Sequence, residues 1–187
     1  MQAIIQSYLG DISTLMSEIS ESSIENVLNI LYKAYIEDKQ VFLFGNGGAA
    51  ATSTHLACDL AKGATYPDKR RFKVVSLSEN ISILTAWAND TDYTNIFGEQ
   101  LKNFVKPEDV VIGLSASGMS PNVINALKLA NEMGAVTVLF SGYDGGKAAK
   151  EAKHTVIVPT KNIQQIEDVH LVICHILYTC LRQKIFS

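Results

Sequence analysis

Charge is scarce in this sequence, and what there is nearly balances. Only 19% of the 187 residues are Asp, Glu, Lys or Arg, and the formal net charge is −3. There is no long basic run. A surface that neutralises nucleic-acid phosphates needs one, so nucleic acid is not an expected partner. No segment approaches the roughly 18 uninterrupted apolar residues of a membrane span. Met1 to Gly10 lacks the charged start and apolar run of a secretory signal. The expected location is therefore the cytoplasm. Cysteine is equally sparse: Cys58, Cys174 and Cys180, an odd number without CxxC spacing. That excludes a disulfide framework or a cysteine-built zinc site and leaves small core residues. Repeats, low-complexity tracts and linkers are missing too, so residues 1–187 read as a single domain.

What is present is a hydrophobic content of 47%, ordinary for a globular chain with a full-sized core. Residues 1–38 carry apolar side chains at helical spacing, among them Ile5, Leu9, Ile12, Leu15, Met16, Ile19, Ile24, Val27, Leu28 and Leu31. The spacing predicts two helices broken near Glu21-Ser22-Ser23. Such an arm either covers a sheet face or builds an oligomer. From residue 39 onward, strand-like and helix-like segments alternate. The strands are Val41–Phe44, Lys73–Leu77, Val110–Leu114, Ala135–Phe140 and Thr155–Val158, short and apolar on both faces. Buried parallel strands have that composition. The helices are Ala49–Lys62, Ile81–Trp87 with Tyr93–Phe104, Pro121–Met133, Gly146–Ala152 and Ile163–Arg182. Alternation of this kind predicts an α/β fold, a doubly wound five-stranded parallel sheet in a three-layer αβα sandwich. The last helix is apolar nearly all round, which favours burial at a subunit interface.

Ligands of open α/β sheets sit beyond the carboxyl ends of the strands. After the first strand comes Gly45-Asn46-Gly47-Gly48-Ala49-Ala50. Glycines let backbone N–H groups approach a ligand, and the following helix N-terminus favours an anion. The run also fits a loose GxGxxA dinucleotide pattern. An acidic residue is expected about 20 positions on. Here the nearest at a strand end, Glu79, lies 34 positions past Gly45. After the third strand comes Ser115-Ala116-Ser117-Gly118-Met119-Ser120-Pro121. Ser120 stands where an N-cap belongs, and Pro121 fits the first helical position. Three hydroxyls, backbone donors and a helix end make a phosphate cradle without a lysine or arginine. After the fourth strand, Ser141-Gly142-Tyr143-Asp144-Gly145-Gly146 either closes the pocket or is a plain loop.

His55 and Asp59 are four apart on one predicted helix face. Glu167, Asp168, His170 and His175 share the last helix. Asp168 and His175 lie about 20° apart around that helix axis, Glu167 and His175 about 80°. Histidines and carboxylates on apolar helices suit a divalent metal of zinc type, or an acid/base pair beside a carbonyl, or partnered structural groups.

Taken together, five runs resemble the phosphoheptose isomerase branch of the sugar-isomerase (SIS) family. They are the glycine loop 45–50, His55 with Asp59, Leu84-Thr85-Ala86-Trp87-Ala88-Asn89-Asp90, the serine turn through Asn122-Val123, and Glu167-Asp168-Val169-His170 with His175. The resemblance spans essentially the whole chain. It implies a homotetramer with sites at subunit interfaces and a sugar-phosphate substrate. The implied reaction is the ketose-to-aldose conversion of sedoheptulose 7-phosphate to D-glycero-D-manno-heptose 7-phosphate, for lipopolysaccharide or capsule. It further implies that Ser115, Ser117 and Ser120 hold the phosphate. Asn46, Gly47, Gly48 and Asp90 would contact the sugar. His55, Asp59, Glu167 and His175 would form the metal cluster, often zinc, with Asp59 or His175 moving the proton. The family typically has glutamate at Asp59, glutamine at Glu167 and serine at Ala49. Two alternatives remain beside it: a non-catalytic sugar-phosphate sensor or DnaA-binding-type adaptor of the same family, and a dinucleotide-cofactor enzyme.

Overall fold

The computed structural model describes residues 1–186. Two helices, α1 (Gln2–Glu18) and α2 (Glu21–Ile36), lead into β1 (Gln40–Gly45). There follow α3 (Gly48–Cys58), β2 (Lys73–Ser76), α4 (Ile81–Asp90), α5 (Gly98–Phe104), β3 (Val110–Ser115) and α6 (Pro121–Glu132). The chain ends with β4 (Val136–Gly142), the short α7 (Ala148–Glu151), β5 (His154–Val158) and α8 (Ile163–Phe186). The five strands form one sheet in the order β2-β1-β3-β4-β5, every pair parallel. The α/β fold expected from the alternation is thus observed.

Successive strand residues point to opposite faces, and β1 shows why the sheet has two cores. Val41 and Leu43 join a cluster built with α2, α3 and α8. Phe42 and Phe44 join the other, built with α5, α6 and the Ile96-Phe97 segment. Because β1 and β3 are central neighbours whose chains leave in opposite directions along the sheet, the crevice between their carboxyl ends is the topological switch point.

The arm does cover a sheet face. Val27, Leu31, Ala34 and Tyr35 of α2 are buried in the first cluster. The break between arm helices falls one residue earlier than the spacing suggested. Ser20 caps α2, its side chain accepting a hydrogen bond from Ser23 N. By contrast α1 buries only Leu15, with Ile19 just past its end also buried, and leaves Ile4, Ile5 and Leu9 exposed. Two polar contacts tie it down: Tyr8 Oη donates to Asp168 Oδ2 at 2.6 Å, and Gln165 Nε2 donates to Asp11 Oδ2 at 3.1 Å.

Two expectations need correction, and a third, the subunit interface expected at the last helix, is seen here from the protomer's side only. The helix after β4 begins at Ala148, not Gly146, because Gly145 and Gly146 both take positive φ. The last helix is buried on one face only within the protomer: Ile166, Val169, Ile173, Leu177 and Leu181 face the core, while Ile163 and Val172 face solvent. Cys58 is exposed rather than a core residue, whereas Cys174 is buried and its thiol is pushed up to about 12, chiefly by burial.

His170 is enclosed by the first core, its Nε2 3.2 Å from Ser141 O. Burial holds its imidazole down at about 4. The folded state then binds fewer protons than the unfolded chain between roughly pH 4 and 6.5, so stability falls as pH drops through that window. A fully expressed shift of this size is worth about 3 kcal/mol. Urea unfolding at pH 4.5 and 7.5 should show that loss, and His170→Gln should remove most of it. An equal loss in the variant would place the acid sensitivity elsewhere.

Among the described residues, no helix is long and apolar enough to cross a membrane.

Candidate active site

Both ends of the switch-point crevice begin with backbone. Gly47, the N-cap position of α3, has φ 55 and ψ −122, a conformation open essentially to glycine. A Cβ there would meet nothing within 4 Å, so the space above this turn is open. Gly48 differs: a Cβ on it would run into the carboxylate of Glu167. Glu167 therefore sits over the N-terminal end of α3, where a negative charge is favoured by the unpaired N–H groups of the first turn.

Beyond β3 the serine turn is wired hydroxyl to hydroxyl. Ser115 Oγ donates to Ser120 Oγ at 3.1 Å, and Ser117 Oγ accepts from Met119 N at 3.2 Å. Each hydroxyl has one proton. Ser120 and Ser117, used here as acceptors, keep theirs to donate outward, as an anion requires. Ser120 does occupy the N-cap backbone position of α6 with Pro121 following, but its side chain makes no capping bond. Asn122 Oδ1 accepts from Val123 N instead. The turn rests on the loop after β4. Ala148 N donates to Gly118 O at 2.9 Å, and a Cβ at Gly118 or Gly146 would collide with the other loop's backbone. The loop 141–146 thus supports the serine turn.

Asn46 is held by two residues whose roles the sequence did not reveal. Its side-chain amide pairs reciprocally with that of Asn122, at 3.0 and 2.8 Å, and Tyr93 Oη donates to Asn46 Oδ1 at 3.0 Å. Partners 47 and 76 positions away leave no periodic trace. Asp90 ends α4, three residues before Tyr93, and accepts from Asn89 Nδ2.

Deeper along α3 stands the cluster. His55 and Asp59 are one helical turn apart, and His175 reaches them from α8. His55 Nε2 lies 3.1 Å from His175 Nε2 and 3.5 Å from Asp59 Oδ2, and His175 Nε2 lies 3.9 Å from the same oxygen. Zinc-type ligand bonds near 2.0–2.1 Å in tetrahedral array put donor atoms about 3.3 Å apart. The triangle has that scale. Asp59 Oδ2 is shielded from solvent and lacks a hydrogen-bond partner. A buried carboxylate oxygen left unpaired is costly, and a cation between the three atoms satisfies it. Two Nε2 atoms facing each other form a hydrogen bond only if one carries a proton; with a cation both present lone pairs. Among the described residues this His55-Asp59-His175 group is the one set of three or more such side chains placed to hold a metal.

Glu167 and Asp168 do not join it. Glu167 lies eight residues before His175 on α8, about 12 Å along the axis at 1.5 Å per residue, with its carboxylate against Gly48. Asp168 accepts from Tyr8 and anchors the arm. The expectation of a fourth ligand from Glu167 is therefore not met within the protomer.

The SIS domain family model matches residues 7–142. Phosphoheptose isomerase of Aquifex aeolicus is 36% identical over 176 residues, covering 94% of this chain and 92% of that protein. The phosphoheptose isomerase of Geotalea daltonii is 35% identical over 183 residues, covering 98% and 94%. The solved structure of phosphoheptose isomerase GmhA from Neisseria gonorrhoeae superposes with a TM-score of 0.89 at 26% identity, covering 96% of this chain and 97% of that one. A family model over most of the chain and relatives above 30% identity over nearly all of it agree with the glycine loop, serine turn and ligand triangle: the chain belongs to the SIS-domain family, in its phosphoheptose isomerase group.

Proposed function

We propose that this protein isomerises sedoheptulose 7-phosphate to a heptose 7-phosphate in the cytoplasm, at the crevice between β1 and β3. The observation that carries the reading is the His55-Asp59-His175 triangle with its buried, unpaired Asp59 oxygen. The relatives named above share the activity by name, and the serine turn offers outward hydroxyl protons for a phosphate.

In this reading Ser117 and Ser120 donate to the phosphate, and Ser115 completes the cradle by holding Ser120 Oγ in place. Asn46, fixed by Asn122 and Tyr93, contacts the sugar chain together with Asp90 and the open backbone at Gly47 and Gly48. His55, Asp59 and His175 hold a divalent cation, most simply zinc, which when bound polarises the carbonyl as a Lewis acid. The proton traffic belongs to the chain. One of Asp59 and His175 takes a proton from carbon 1 of the ketose, giving an enediol, and a proton returns to carbon 2. The hydroxyl proton moves from oxygen 1 to oxygen 2, so no external oxidant or reductant is consumed. Asp59 is the better base on chemical grounds, since a carboxylate has a second oxygen for the proton. The assembly in this reading is a homotetramer with sites at subunit interfaces, supported by the exposed Ile4, Ile5 and Leu9 of α1. The pathway is heptose supply for lipopolysaccharide or capsule.

The test is incubation of zinc-loaded protein with sedoheptulose 7-phosphate in D₂O. NMR should show deuterium entering beside the carbonyl and the aldose accumulating. Sedimentation of the same sample should give a tetramer, and elemental analysis one zinc per protomer. Binding of the sugar phosphate with neither exchange nor product would sink the isomerase and leave a sensor.

A further inference from the structure

The helix carrying two of the three ligands does not end as it began. From Asp59 to Gly63 it widens into a π turn, closed by a hydrogen bond from Ala64 N to Asp59 O at 3.1 Å. Such turns are uncommon and cluster at functional sites. This one starts on a ligand. Its inward side chains, Leu60 and Ala64, are fully buried in the first core with Leu177 and Leu181 of α8. Its last residue, Gly63, touches α8 directly. A Cβ on Gly63 would stand 2.6 Å from Tyr178 Oη and 2.8 Å from two ring carbons. Gly63 is not in the left-handed region, so its backbone does not demand glycine; what a side chain there would meet is the tip of the Tyr178 ring. Tyr178 lies three residues after His175, on the same side of α8. It thus meets the π turn while His175 meets Asp59.

We propose that Tyr178, seated on Gly63, is a positioning residue that sets the separation between the α3 extension and α8, and through it the His55-Asp59-His175 triangle. This rests on the metal reading above. The ligands come from two helices, so their spacing is an interhelical distance and needs a fixed stop. The contact is half-buried, and an aromatic ring has few rotamers, so a seat on bare backbone limits how far Tyr178 can move toward α3. The stop also suits the short Asp59 side chain, which has no spare methylene to follow a helix that drifts.

Gly63→Ala inserts a wedge between the two helices at this point. Zinc titration against a chromophoric chelator should show affinity reduced about tenfold or more, the range for groups that orient ligands. Turnover should fall while KM for the sugar phosphate holds, because the serine turn lies on other loops. Gly63→Ala with Tyr178→Ala should recover much of the zinc affinity, the methyl filling part of the vacated space. Should the wedge prevent folding, Tyr178→Ala alone removes the stop without adding a wedge, and it should likewise lower zinc affinity and move both imidazole signals. In metal-free protein the wedge should also shift the imidazole NMR signals of His55 and His175. Folded Gly63→Ala with parental zinc affinity and unmoved imidazole signals overturns the proposal. A parent that binds no zinc, yet shows the imidazole shifts on Gly63→Ala, overturns the metal assignment and leaves the positioning role standing.

Discussion

Asp59→Asn should lower turnover by about 10²- to 10⁴-fold, the range for losing a positioned acid/base group, and should weaken zinc binding in parallel. The substitution keeps the shape and removes the charge. Its second effect has the opposite sign. In metal-free protein, Oδ2 is buried without a hydrogen bond, so replacing the carboxylate relieves an uncompensated group. Thermal or urea unfolding without metal should then find the variant at least as stable as the parent, by up to about 1 kcal/mol. Adding zinc should reverse that order, because ligand binding stabilises only the form that binds. Function and stability moving apart marks a residue kept for its chemistry. If Asp59→Asn retained turnover within tenfold of the parent, Asp59 would leave the mechanism. If stability fell as activity fell, its role would be structural.

Gly118→Ala should be the most damaging small substitution at the substrate end. Gly118 has φ 63, and a Cβ there would overlap the backbone of Gly145. The left-handed conformation alone costs a non-glycine residue about 1–2 kcal/mol. The overlap adds to it, since the obstacle is main chain and neither loop can turn aside. A total near 3 kcal/mol or more is expected. The serine turn cannot shift without disturbing Ala148 N–Gly118 O and the Ser115–Ser120 pair. KM for the sugar phosphate should therefore rise at least about tenfold, in keeping with the cost of misplacing binding groups by an ångström. Zinc affinity should be unchanged, because the triangle hangs on α3 and α8. Urea unfolding, Michaelis analysis and zinc titration read the three effects separately. A loss of zinc affinity along with KM would mean that the two halves of the site are mechanically one.

How much of this was legible in the sequence depends on the range over which each feature is encoded. The β/α alternation is local, and the Val, Ile and Phe runs located all five strands to within two residues or so. Ser120-Pro121 marked the start of α6 because cap chemistry is read from adjacent residues. His55 and Asp59 were paired by a four-residue spacing within one helix. His175 was among the candidates on the last helix, but its companion there was harder to choose. Angles around α8 rank Asp168 above Glu167 as a companion for His175, yet neither reaches the triangle. Angle says which side of a helix a residue is on; it says nothing of the 12 Å or so that eight residues climb along it. Tyr93 and Asn122 were invisible as supports for Asn46 because their bonds cross the fold. Gly63 looked like any glycine near a helix end, since the ring that excludes a side chain there comes from the far end of the chain.

The triangle joins residues 120 positions apart, and that span has a kinetic consequence. Contacts between distant segments close large loops and form after local ones have repaid their entropy. The units from β1 through α7 can assemble from neighbours, whereas α8 must return across the sheet to lie beside α3. Its docking completes the first core and supplies His175 in the same event. A chain whose last helix seats late would therefore gain its site and close its first core together, offering until then an open apolar face and two ligands without their third.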